Sequence, residues 1–140
     1  MTFTMQSDGT YELTKFYNYE DSTVIIPEIV RNVKVSCIGD DVFSNCKNIT
    51  SVKIPDNVTM IGASAFEGCT GLISITIPTN VTEIGSSAFS NCTGLNSILL
   101  PKNLIKMYGS VFHGCTGLKN IEIPNNLTSM VFLHLVVVVV

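Results

Sequence analysis

A phenylalanine returns every 23 residues, at Phe43, Phe66, Phe89 and Phe112, and no non-repeating fold accounts for that spacing. Other columns move with it: Cys46, Cys69, Cys92 and Cys115; Ile49, Leu72, Leu95 and Leu118; Pro55, Pro78, Pro101 and Pro124. A fixed period in this range marks a stacked-repeat architecture, in which one unit cannot bury its apolar face alone and neighbouring units bury a continuous core. The chain is therefore expected to be a solenoid.

Each unit reads as one coil. From Leu72 to Ile77 the sequence alternates, Leu72, Ile75 and Ile77 apolar and Ser74 and Thr76 polar, which predicts a short strand with Ile75 and Ile77 facing the core. Pro78 follows, where the absence of an N–H suits the end of a ladder. Beyond it, Ile84, Ala88, Phe89 and Cys92 fall at i, i+4, i+5 and i+8, the spacing of a short inward-facing helical turn. Gly71, Gly94 and Gly117 precede the strands, with Asn48 in the same column. Glycine and asparagine both tolerate left-handed backbone, so a positive φ is expected there. The fold class expected is an α/β repeat, with a parallel strand ladder on one face and short helices on the other.

Upstream, Val24 to Pro27 reads as a degenerate strand-plus-proline. Sixteen positions separate Pro27 from Phe43, against eleven between Pro55 and Phe66, so the extra residues in EIVRNVKV are expected to form a longer loop or hairpin. Residues 1–36 are assigned to an N-terminal cap, 37–129 to the repeats, and 130–140 to an atypical apolar tail. The tail, VFLHLVVVVV after Met130, replaces the expected glycine and Ala-Phe turn and is expected to be a truncated or frame-altered end that promotes self-association. At eleven residues it is too short to span a bilayer.

The segments IPDNVTMIGASAFEGCTGL and IPTNVTEIGSSAFSNCTGL closely resemble the BspA-like class of leucine-rich repeats, whose pattern covers residues 37–129 with few departures. Tyr108 is one departure, standing where Gly62 and Gly85 stand, with Gly109 placed to absorb the shift. The resemblance implies a leucine-rich-repeat solenoid and a role like that of bacterial and protist surface proteins in adhesion to host matrix proteins and other cells.

Several functional classes find no support. Acidic residues number 11 and basic residues 8, and no basic patch is left to neutralise a phosphate backbone, which argues against nucleic acid. The cysteines come one per unit, and the extra Cys37 is nine positions from Cys46, so no C-x-x-C pair converges on a metal; buried thiols filling the stack are expected instead. His113 and His134 are the only histidines, and neither has a partner at a hydrolase spacing; His113 shares a column with Ser44, Glu67 and Ser90 and should face solvent. The reading is of a non-enzyme with no catalytic residue, metal or cofactor. Five N-x-S/T sequons occur, at Asn48, Asn57, Asn80, Asn91 and Asn126; Asn103 shares the column of Asn57, Asn80 and Asn126 without the threonine, so that column is expected to be a corner preference. The N-terminus MTFTMQSDGTYEL shows no secretory signal, which makes cytosolic residence the default, with the cell surface implied by the resemblance.

What remains is a binding face. Strand alternation points Ser51 and Lys53, Ser74 and Thr76, Ser97 and Leu99, and Asn120 and Glu122 out of the ladder. The first column is nearly constant, whereas the second runs Lys, Thr, Leu, Glu, a variation that a reading surface can use. The function expected is protein binding along this face, adhesion or surface-antigen-like. The alternatives are an intracellular protein-interaction scaffold and a non-functional fragment of a longer repeat protein.

Overall fold

The computed structural model describes residues 1–130; the backbone of Met130 is included and its side chain is not. The apolar tail and the self-association expected of it lie outside the described residues. Twelve strands follow in order: β1 (Thr2–Met5), β2 (Tyr11–Lys15), β3 (Thr23–Ile25), β4 (Ile29–Val30), β5 (Val33–Ile38), β6 (Ser51–Lys53), β7 (Met60–Ile61), β8 (Ser74–Thr76), β9 (Glu83–Ile84), β10 (Ser97–Leu99), β11 (Lys106–Met107) and β12 (Ser129–Met130). They wind into a β-solenoid of stacked coils.

Two sides of the stack carry strand ladders. On one, β2, β5, β7, β9, β11 and β12 lie parallel, each coil's strand beside the next, with β1 antiparallel at the N-terminal edge. Ile38 pairs with Ile61 and Ile61 with Ile84, so the 23-residue period becomes a zero-shift register. On the other side β3 pairs with β6 and β8 with β10, again parallel. The corner between the two ladders is the proline turn, closed by N–H bonds from Val58, Val81 and Leu104 to the carbonyls of Pro55, Pro78 and Pro101, each at 3.1 Å. The extra residues upstream form a hairpin: β4 runs antiparallel to β5, and Arg31 and Asn32 between them have φ of 50° and 63°, as a two-residue turn that matches strand twist requires.

The third side corrects the expected short helices: no helix occurs among the described residues. The Ala-Phe-x-x-Cys stretch spends its N–H groups in two ways. Those of Phe43, Phe66 and Phe89 donate to the carbonyls of Ala65, Ala88 and Val111 in the next coil at 2.8, 2.8 and 3.0 Å. Those of Cys46, Cys69 and Cys92 close four-residue turns on the phenylalanine carbonyls. An α-helix would direct these donors along its own axis and leave successive coils unbonded; the solenoid bonds across coils instead. The helix-like apolar spacing reflects a curved turn segment with one inward side.

Alternating turn residues take left-handed backbone to make this possible. Asp41, Ser64, Ser87 and Ser110 have φ of 50–59°, and Asn45, Gly68, Asn91 and Gly114 have φ of 58–71°. The positive φ expected at Gly71, Gly94, Gly117 and Asn48 is not found; it lies in these two other columns. Gly71 and Gly94 are needed for close approach, since a Cβ on either would sit 2.3 Å from the carbonyl oxygen of Lys47 or Thr70 in the preceding coil. In the first unit Asn48 stands in this column, its amide donating to the carbonyl of Tyr19 at 3.0 Å.

The core follows the columns. Phe43, Phe66, Phe89 and Phe112 are fully buried and stack with ring centroids 5.0, 5.2 and 5.8 Å apart and interplanar angles of 14° or less. Phe16 covers the N-terminal end of the stack, 5.0 Å from Phe43 and tilted by 49°. Burial of one such ring stabilises by about 1.5–3 kcal/mol, and the stacked contacts add roughly 0.5–1.5 kcal/mol each.

Candidate binding face and buried ladders

The outward positions stand where strand alternation places them. Ser51 and Lys53 flank buried Val52, Ser74 and Thr76 flank buried Ile75, and Ser97 and Leu99 flank half-buried Ile98, all six outward residues being exposed. Asn120 and Glu122 are exposed around buried Ile121, but residues 118–123 form no strand, a correction to the fourth strand expected there. The fourth unit keeps the in–out alternation through packing of Leu118 and Ile121, and the Leu118 N–H closes a turn on the Cys115 carbonyl.

The register adds two residues to the face. Thr23 pairs with Ser51 and Ile25 with Lys53, so the second outward column runs Ile25, Lys53, Thr76, Leu99, Glu122. Ile25 is 65% exposed and Leu99 62%, with Ile73 also exposed alongside. The signal was present in the sequence: once Val24 to Pro27 is read as a strand, alternation puts Thr23 and Ile25 outside.

The cysteines form an internal ladder. Cys46, Cys69, Cys92 and Cys115 are buried free thiols, and the Sγ of Cys69, Cys92 and Cys115 each donates at 3.0 Å to the carbonyl of Phe43, Phe66 and Phe89 respectively. Burial pushes the Cys46 thiol above its ordinary range and pushes Cys69 up to about 12. The contact with Cys115, together with burial, raises Cys92. The contact with Cys92 lowers Cys115, while Cys46, Cys69 and Cys92 are held protonated at neutral pH and serve as packing groups. No group of three metal-binding side chains converges among the described residues. His113 is exposed.

The asparagine column has an equally local purpose. The side-chain amides of Asn80, Asn103 and Asn126 donate to the carbonyls of Asp56, Thr79 and Lys102 in the preceding coil at 2.7, 3.1 and 3.0 Å, and Asn57 reaches Glu28. Asn103, which lacks the sequon threonine, makes the same bond, so the repeated asparagine serves the corner.

With the repeat geometry in view, the family can be placed. The sequence profile of the BspA type leucine rich repeat region, in 6 copies, matches residues 12–132. The chain belongs to this BspA-type leucine-rich repeat family. The match begins inside the segment assigned from sequence to the cap, where β2 already pairs in parallel with β5. Among solved structures, the leucine-rich repeat protein of T. pallidum is similar over 93% of this chain and 60% of that one, at 27% identity and a TM-score of 0.86. A leucine rich cell surface protein from Faecalibacterium prausnitzii A2-165 is similar over 90% of this chain and 35% of that one, at 38% identity and a TM-score of 0.78. A leucine-rich repeat protein from Bacteroides capillosus covers 91% of this chain and 80% of its own, at 28% identity and a TM-score of 0.54. The chain thus spans less than two thirds of the first two proteins. No curated protein matches it. Repeats of this family are generally protein-interaction modules. No helix among the described residues is long and apolar enough to cross a membrane.

Proposed function

We propose that this BspA-type repeat array is a non-enzymatic protein-binding module whose partner lies across the outward strand columns, in an adhesion or surface-antigen-like role. The observation that carries this reading is the column Ile25, Lys53, Thr76, Leu99, Glu122, exposed at one position per coil and chemically different at each. A stack holding apolar, cationic and anionic groups at one outward position per coil suits recognition of an extended or flat protein surface, with Ile25 and Leu99 as apolar anchors and Lys53 and Glu122 setting register. Similarity to a protein described as a leucine rich cell surface protein supports the surface setting.

The test is the triple variant Lys53→Ala, Leu99→Ala, Glu122→Ala, compared with the parent for retention on intact cells and on immobilised extracellular-matrix proteins. A loss of about tenfold or more, roughly 1.4 kcal/mol, is expected; unchanged retention by a folded variant overturns the assignment. The second reading, an intracellular interaction scaffold, draws on five unpaired thiols, which reducing compartments preserve. Antibody labelling of intact and permeabilised cells separates the two.

A further inference from the structure

The corner between the long ladder and the Ala-Phe turn is lined by Gly39, Gly62 and Gly85, and then by Tyr108. The backbone does not notice the change: the N–H groups of Gly39, Gly62, Gly85 and Tyr108 donate to Leu13, Ile38, Ile61 and Ile84 at 2.8, 2.7, 2.8 and 3.0 Å. The packing does. A Cβ at Gly62 would lie 2.6 Å from the Gly39 carbonyl carbon, and one at Gly85 2.5 Å from the Ala63 nitrogen. Tyr108 brings a Cβ to this column at the step where the phenylalanine rings separate to 5.8 Å, after spacings of 5.0 and 5.2 Å.

The result is a shallow groove of 270 Å³ along the stack, closed at one end by Tyr108 and at the other by Asp40, with Gly62 and Gly85 as its floor and Met60 and Glu83 on its flank. Tyr108 is 40% exposed and Met60 36%, so an aromatic and a thioether face the groove. Asp40 accepts the Ala63 N–H through one oxygen at 2.7 Å, which leaves its second oxygen available. Glu83 pairs with Lys106. The groove runs along the stack, and its lining combines apolar surface with the carboxylates of Asp40 and Glu83.

We propose that this groove is a second docking site, separate from the strand face, which takes an extended peptide segment carrying arginine or lysine. Such side chains have an apolar stem and a cationic head. The stem lies on Met60 and the glycine floor and the cation meets the second oxygen of Asp40, while a second cation at the other end of the groove has the Tyr108 ring for cation–π contact.

The experiment is a titration of the ¹⁵N-labelled full chain with acetyl-Gly-Arg-Gly-Arg-Gly-amide, and with its counterpart carrying Glu for Arg, followed by amide shifts. Saturable shifts at Gly62 and Gly85 are expected, with the arginine peptide bound at least threefold more tightly than the glutamate peptide. Tyr108→Gly, which restores the column, and Asp40→Asn, which keeps an acceptor for Ala63, should each weaken binding at least threefold. The triple variant at Lys53, Leu99 and Glu122 should bind as the parent does, so failure here and failure of the strand-face reading are told apart. Absence of saturable shifts, a peptide preference below threefold, or undiminished binding by folded Tyr108→Gly overturns the proposal.

Discussion

At the scale of single residues, the cysteine column shows how a chemically reactive side chain is put to structural use. Each inner thiol is small enough to pack beside the phenylalanine stack, and those of Cys69, Cys92 and Cys115 still donate to a carbonyl one coil back. Cys37 is only partly buried, whereas the other four are buried, so an alkylating reagent should modify Cys37 alone in the native protein and all five after denaturation, as counted by mass spectrometry. Fast native modification of Cys69 or Cys92 would contradict the ladder. The same burial predicts a pH dependence. Cys69 moves from an unfolded value near 9.0 up to about 12 in the fold, so its neutral form is favoured by folding. As pH rises past 9 the unfolded chain loses the proton first, and stability should fall between about pH 9 and 12 while staying level below. Replacing Cys69 with valine should flatten that part of the profile in denaturant titrations.

At the scale of the element, the corners decide whether coils can close on one another. Gly94 lies against the backbone of the preceding coil, its absent Cβ only 2.3 Å from the Thr70 oxygen. The Gly94→Ala change must push two coils apart and should cost about 1–3 kcal/mol, whereas alanine at Asn48, which holds this column in the first unit, loses one exposed hydrogen bond to Tyr19 and should cost about 0.5–1.5 kcal/mol. Chemical denaturation of the two variants checks the contrast; equal losses would mean the corner is looser than its geometry. Asn80→Asp is a sharper test of the opposite corner. It keeps shape and removes the amide donor to Asp56, so it should destabilise by about 1–2 kcal/mol, and it distinguishes a packing asparagine from one kept for modification.

At the scale of the molecule, the stack behaves as a row of nearest-neighbour contacts. Phe66 and Phe89 each have a ring on both sides, while Phe112 has one partner among the described rings. Phe66→Ala should therefore cost about 3–5 kcal/mol and Phe112→Ala measurably less. Hydrogen exchange should grade the same way: amides of Phe66 and Phe89, bonded to the next coil, should be the slowest, with residues 118–123 among the fastest because they lie in no ladder.

The 23-residue period by itself determined the solenoid, the buried columns of Phe, Cys and Leu, and the outward face from Ser51 to Glu122, because burial in a stack depends only on a residue's position within the coil. The insertion in EIVRNVKV was legible for the same reason, as surplus length between two recognisable columns, though only the structure chose a hairpin over a loop. Tertiary structure decided what periodicity cannot. Helix and curved turn share one apolar spacing, and the choice between them lay in whether the Phe43 and Phe66 N–H groups bond within a coil or to the next one. Gly71 was expected to be a left-handed corner residue, yet the left-handed backbone lies at Asn45 and its column; Gly71 is glycine because another coil's carbonyl lies where its Cβ would be. The groove ending at Tyr108 was out of reach on similar grounds. A broken glycine column shows in the sequence, but the groove exists only once Asp40, Met60 and Glu83 are brought beside it by coils that stack at a fixed register.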